Sequence, residues 1–199
     1  MPFSRKIGVA LAVFMLALSG ATPASARRLA STVEELDRMP PAHPDFPVPK
    51  EPNQLFYVQR SRNSNTIIYA ANIPAPGQFD AKSPLNVYWR RYMDASAPRA
   101  DLNFLERSLA FGADAKSQPG EGNKFQANIT SYPERKFIVD LDESGKPEAV
   151  LDMGGHAARM LSIYAQLDET GLIPRLVYGD IYGIDKATGR VLHEHIVPA

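Results

Sequence analysis

His193-Glu-His195, close to the C-terminus, is the spacing in this chain nearest to a metal-binding pattern. Residues i and i+2 of an extended strand point to the same side, so both imidazoles could meet one ion. A third ligand would have to come from His156, Asp152 or Asp180, none of them near in sequence. Two ligands are a weak signal, and two titratable side chains on a solvent-facing terminal strand account for the pair more simply. No metal and no cofactor is therefore expected. Tyr178, Asp180 and Tyr182 form a same-face row that could stack a sugar, although an outward sheet face explains them as well. Asp140 and Asp142 also share a face. The turn Glu143-Ser-Gly-Lys146 follows at once, so a solvated strand end is expected rather than a glycosidase pair. There is no cysteine, no G-x-S-x-G elbow, no H-E-x-x-H and no glycine-rich phosphate loop. No catalytic residue is assigned.

The remaining chemistry lies in a polar knot. Arg60, Arg62, Asn63 and Asn65 sit beside Tyr57 and Tyr69, and a second basic strand carries Tyr88 and Arg90. Arginine presents a planar fork of donors suited to carboxylate or phosphate, and asparagine adds a paired donor and acceptor. Tyr57, Arg60, Asn63, Asn65, Tyr69, Tyr88 and Arg90 are thus the candidate ligand-binding set, and a small anionic ligand would suit it. The competing account has the asparagines folding a turn while the arginines pair with Glu106 or other acids.

Positioning these residues requires strands. Leu55–Val58 and Thr66–Ala71 flank the knot as two β-branched and aromatic runs, a β-hairpin. Leu85, Val87 and Trp89 alternate with polar neighbours, which places Trp89, the single tryptophan, in the core. From Lys124 the pattern is of short antiparallel strands: Phe125/Ala127/Ile129, Phe137–Leu141, Ala149–Met153, Met160–Leu167, Leu176–Ile184 and Val191–Val197. Gly154-Gly155 reads as a tight hairpin, and Gly179 and Gly183 as a bend or a close approach. Asp101–Gly112 is the best helix pattern, with Asp101 as cap and Leu102, Leu105 and Leu109 on one stripe. The expected fold is mainly β: an antiparallel sandwich or barrel of about eight strands carrying one short α-helix.

Equal numbers of basic and acidic residues, 22 each, leave no electrostatic footprint for nucleic acid. Arg5 and Lys6, the apolar run Ile7–Ser19 and Ala24-Ser25-Ala26 form a secretory signal peptide over residues 1–26. That run is too short for a transmembrane helix, so none is expected after cleavage. Residues 27–52 hold a possible short helix at Ser31-Thr-Val-Glu34 and six prolines from Pro40 to Pro52, a stiff tether. Residues 53–199 form one β-rich domain. The expected address is the periplasm or the outside of a bacterial cell.

Several stretches together resemble the bacterial domain-of-unknown-function family 4833. They are Pro52–Ser61 with Asn63, Asn65–Tyr69, Pro84–Tyr92, Leu105-Glu-Arg107, Leu109–Gly112, Gly183-Ile-Asp185, Thr188-Gly189, Val191 and Glu194, spanning about Pro52 to Pro198 in the right order. Phe111 stands where the family pattern suggests tyrosine. The resemblance implies an exported domain and assigns no catalytic residues. The sequence therefore favours a non-enzymatic domain that binds a ligand or an envelope protein. A hydrolase of an envelope carbohydrate or ester, using Asp180, Glu194 and the two C-terminal histidines, is the rival.

Overall fold

The computed structural model describes residues 30–36, 43–171 and 174–198. The signal peptide expected over 1–26 lies outside the described residues. Among the described residues twelve strands follow one another: β1 (Ala30–Leu36), β2 (Gln54–Arg60), β3 (Asn63–Ala71), β4 (Leu85–Arg90), β5 (Arg99–Asp101), β6 (Ala113–Ser117), β7 (Phe125–Ile129), β8 (Tyr132–Leu141), β9 (Pro147–Met153), β10 (His156–Asp168), β11 (Arg175–Asp185) and β12 (Val191–Val197). All belong to one curled sheet. The sequence reading of about eight strands in a sandwich or barrel is corrected to this. Short β5 and β6 each have a single strand partner, β4 and β7, and carry too few residues for a period-2 pattern to stand out.

β10 is the organising strand. Along one edge it pairs antiparallel with β11. Its other edge is shared: His156–Arg159 pair antiparallel with β9, and Ser162–Ala165 pair parallel with β2. From that divided edge run two arms, β2-β3-β4-β5 and β9-β8-β7-β6, while β11-β12-β1 continue on the far side. The curled sheet encloses the core between its arms. Phe56 stacks on Tyr69 (centroids 4.5 Å apart) and meets Phe137 edge-on at 5.4 Å. Trp89 is buried against Phe111, as its alternation predicted. Each such side chain stabilises the fold by roughly 1.5–3 kcal/mol on burial.

The hairpin at Gln54–Asn72 forms as expected, closing with Arg60 opposite Asn63. The Gly154-Gly155 hairpin also forms, with both glycines at positive φ. Gly183 marks a close approach: a Cβ there would lie 3.0 Å from Met153 Sδ and 3.1 Å from both Ala158 Cβ and Arg159 O. The helix expected over Asp101–Gly112 shrinks to one π-helical turn, Glu106–Phe111. Asp101 ends β5, and Asn103 and Glu106 close the turn reciprocally, each side chain accepting the other's backbone N–H at 2.9 Å. The wider π register buries Ala110 and Phe111 and leaves Leu109 exposed, so the α-helical stripe is not realised.

The short helix expected at Ser31 is a strand, because pairing along all of β12 outweighs a local capping preference. The proline-rich stretch is amended over 43–52. Instead of hanging free it lies across the outer sheet face as a strap. Gln59 Nε2 donates to the Pro47 carbonyl (2.9 Å), Pro49 is buried, and Glu51 pairs with Arg90 and accepts from Tyr88 Oη (3.3 Å). Extended, proline-rich backbone leaves its carbonyls unpaired, and buried Gln59 supplies the donor that docks it.

The turn after β11 explains the Gly183-Ile-Asp185 and Thr188-Gly189 pattern without ligand chemistry. Buried Asp185 accepts from Ala187 N (2.9 Å) and Thr188 Oγ1 (2.8 Å), with His156 at 3.3 Å. The Ala187 N–H first, then the Thr188 hydroxyl, with His156 adding, hold its carboxyl below the ordinary value. Its contribution is complete above the unfolded-state pKa of about 4 and disappears as pH falls through the lower folded value. In urea melts, the stability gap between the wild type and Asp185→Asn is expected to be wide at pH 6 and to narrow at pH 3. A gap that holds its width would show that ionisation of Asp185 is irrelevant to the turn.

Candidate functional site

The hairpin scatters the polar-knot residues. Arg60 and Tyr69 face inward; Tyr57, Tyr88 and Arg90 face outward; Asn63 and Asn65 stay at the hairpin end. Asn63 Oδ1 accepts the Asn65 N–H (3.1 Å), and Asn65 Oδ1 accepts the Met93 N–H (3.0 Å), which are turn-folding roles. Arg90 is taken by Glu51, and Arg62 lies 3.6 Å from Glu169. Tyr69 donates to the Phe111 carbonyl (2.7 Å), and Tyr57 lies opposite Ser162 in the neighbouring strand. Arg60 lies over Trp89 and Phe111, 4.7 and 5.5 Å from the ring centroids. Burial, helped by Arg62, lowers its pKa to about 10 against the opposing pull of Glu106 and Glu169. It remains charged at neutral pH with its Nε unpartnered. The seven residues therefore do not converge on one ligand.

Strand register builds a different cluster on the outer face. Residues directly opposite in neighbouring strands share a side. Tyr57 faces Ser162, Ser162 faces Tyr182, Tyr182 faces His193 and His193 faces Glu34; one step along, Tyr164 faces Asp180 and Asp180 faces His195. The strap covers the β2–β4 half of this face, and its His43 reaches Tyr164 (5.8 Å). The other half carries Asp180, His193 and His195, whose donor atoms lie within 4.8 Å of one another.

Asp180 Oδ1 is 2.8 Å from His193 Nε2 and 2.7 Å from His195 Nδ1. His193 Nδ1 is 2.8 Å from Glu34 Oε1. Tyr182 stacks on His193 (4.8 Å, 12°), and Tyr178 tilts against His195 (5.2 Å). The side chains of His193 and Asp180 are only 15% and 13% exposed, while His195 is 41% exposed. The account of two solvent-facing histidines is therefore corrected for His193. Burial, followed by Asp180, Tyr178 and Glu34, pushes the Tyr182 phenol up to about 12. Burial likewise raises Tyr164, with Tyr178 and Asp180 adding. Both phenols remain neutral donors at physiological pH.

The other named acids fall elsewhere. Glu194 points inward to Arg135 and His156 to Asp185. Asp152 Oδ1 accepts the Gly155 N–H (3.1 Å), and Asp142 Oδ1 accepts the Ser144 (2.8 Å) and Lys146 (2.9 Å) N–H groups, as a turn residue does. The sequence offers Glu34 only as part of a helix-capping pattern and does not single out Tyr164. Glu34 is 159 residues from His193, and no local pattern links them. Tyr164 was visible only as one position in an apolar strand.

These features define a mainly β domain of one curled sheet, braced by a strap and carrying a His-Asp-Tyr cluster on the outer half that the strap leaves clear among the described residues. The chain belongs to the family described as domain of unknown function DUF4833, whose model matches residues 56–195. The match includes Asp180, His193 and His195 and begins after the strap. No curated protein and no solved structure matches the chain. Among the described residues no helix is long and apolar enough to cross a membrane.

Proposed function

We propose that this is an exported, non-enzymatic domain that captures a ligand or a partner of the bacterial cell envelope on the open half of its outer sheet face. The observation that carries the reading is the contiguous surface of Tyr178, Asp180, His193 and His195, built on a sheet whose inner side is filled with packed side chains. Aromatic edges beside half-buried polar groups suit recognition, since the rings are rigid and lose little entropy on binding. The hydrolase reading keeps one point in its favour, the contact of Asp180 with both imidazoles. Against it, Glu194 turns to the opposite side of the sheet, so it cannot pair with Asp180 across a glycosidic bond. Among the described residues, no hydroxyl hydrogen-bonds to either imidazole as a nucleophile would. Export rests on the N-terminal pattern of Arg5, Lys6 and Ile7–Ser19.

Co-sedimentation with an isolated envelope fraction tests the reading. The wild type is expected to sediment with it, Tyr178→Ala with His195→Ala to lose at least tenfold in affinity, and Arg62→Ala to bind unchanged. Release of soluble sugar or acid from the same fraction, abolished by Asp180→Asn, would put the hydrolase in its place.

A further inference from the structure

We propose that Asp180, His193 and His195 bind one divalent transition-metal ion of the zinc class, with Glu34 holding His193 from behind. The hydrogen-bond logic of His193 is the starting point. Both of its ring nitrogens face carboxylate oxygens, Nδ1 toward Glu34 Oε1 and Nε2 toward Asp180 Oδ1, each at 2.8 Å. A neutral imidazole has one N–H and one lone pair, so one of the two contacts sets a lone pair against a carboxylate. The arrangement is satisfied by a second proton or by a cation between Nε2 and Asp180. His195 Nδ1 approaches the same Asp180 oxygen, so the cation meets a third donor on the same spot.

The donor set decides the ion. Two imidazoles and one carboxylate match zinc and its neighbours, whereas calcium and magnesium select all-oxygen shells. Glu34 has the place that a carboxylate takes behind a metal-bound histidine, where it fixes the tautomer that leaves Nε2 free to bind. Stacked Tyr182 locks the ring plane. Bonds of about 2.0–2.2 Å in a tetrahedron require the donors to stand about 3.3–3.6 Å apart. The two separations from Asp180 Oδ1, 2.7 and 2.8 Å, open to that by a small rotation of Asp180 and partly exposed His195, and the two imidazole nitrogens already lie within 4.8 Å of each other. Three protein ligands leave a fourth position, on the solvent side of His195, for an anionic or carbonyl oxygen of a ligand. That consequence rests on the binding reading above; the occupancy of the site by metal does not.

Titration of chelator-stripped protein with Zn²⁺ alone, followed by calorimetry at pH 7.5, is the test. One ion per chain with a Kd at or below about 1 μM is expected, with no uptake of Ca²⁺ or Mg²⁺ over the same range. Asp180→Asn and His195→Ala should each weaken binding at least 100-fold. Glu34→Gln should weaken it about 10–100-fold at unchanged stoichiometry, and His156→Ala should leave it unchanged. Circular dichroism of each variant without metal establishes that it is folded. If His195→Ala fails to fold, isosteric Asp180→Asn and the visible spectrum of the Co²⁺-loaded wild type report the same ligation. Absence of micromolar binding by the folded wild type, or equal affinity in Asp180→Asn, overturns the proposal. Failure here with envelope capture intact removes the metal and keeps the binding face. Stoichiometric zinc without envelope capture does the reverse.

Discussion

Gly112→Ala is expected to lower the unfolding free energy by about 2–4 kcal/mol, more than an ordinary glycine replacement. The backbone of Gly112 (φ −57°, ψ 166°) is open to any residue, so dihedral strain is not the cause. The obstacle is steric: a Cβ would sit 1.9 Å from the Arg107 carbonyl oxygen and 2.9 Å from Thr130 Oγ1. The π-helical turn swings the Arg107 carbonyl over residue 112. Gly112 O is in turn fixed by the Thr130 N–H at 2.8 Å, and Ala110 O by the Ser131 N–H at 3.1 Å. Relief therefore means unwinding the turn or moving β6, and either shift takes Phe111 away from Trp89 and Arg60. Urea denaturation measures the loss, and a change below about 0.5 kcal/mol would show that the turn relaxes freely.

A comparable loss, about 2–3 kcal/mol, is expected for Arg135→Met. Glu194 is 4% exposed and its charge partner is Arg135, whose Nη2 also donates to the Asp152 carbonyl at 2.6 Å. Removing the cation leaves a carboxylate inside the protein without compensation, which costs about 3–5 kcal/mol where both partners are fully buried. Arg135 is 27% exposed, so water reaches one end of the pair and the figure is reduced. The double variant Arg135→Met/Glu194→Met should recover most of the loss, because two apolar side chains next to Tyr132, Phe137 and Leu151 need no partner. Additive losses in that cycle would mean that the two side chains act independently.

Features set by adjacent residues are legible in this sequence, and features set by distant strand pairing are not. The β2–β3 hairpin, the Gly154-Gly155 turn and the burial of Trp89 each depend on a few adjacent residues, and each is found in the structure. Ser31 and Glu34 fit a helix-capping pattern, but the segment is β1, whose partner β12 lies 159 positions away in the sequence at the Glu34 and His193 pair. The His193 and His195 pair and the Tyr178-Asp180-Tyr182 row were both visible as separate same-face patterns. The Asp185–Gly189 turn sets Asp180 opposite His195, and this register joins the two rows into one cluster. Neither row alone shows the cluster. The opposite error affected the polar knot, where density of arginine and asparagine suggested a site. Those groups are consumed by the turn, by Glu51 and by the core.

The parallel pairing of β2 with β10 has a kinetic consequence. It ties Ser61 to Leu167, 106 positions apart, and β1 waits for β12 at the far end of the chain. Strand contacts of such high order make loop closure costly, so folding is slow compared with a chain of local hairpins. The β2–β3 hairpin cannot find its central neighbour until Ser162–Ala165 of β10 have been made. Closure of the sheet on both sides of β10 therefore waits for strands that come late in the order of the chain.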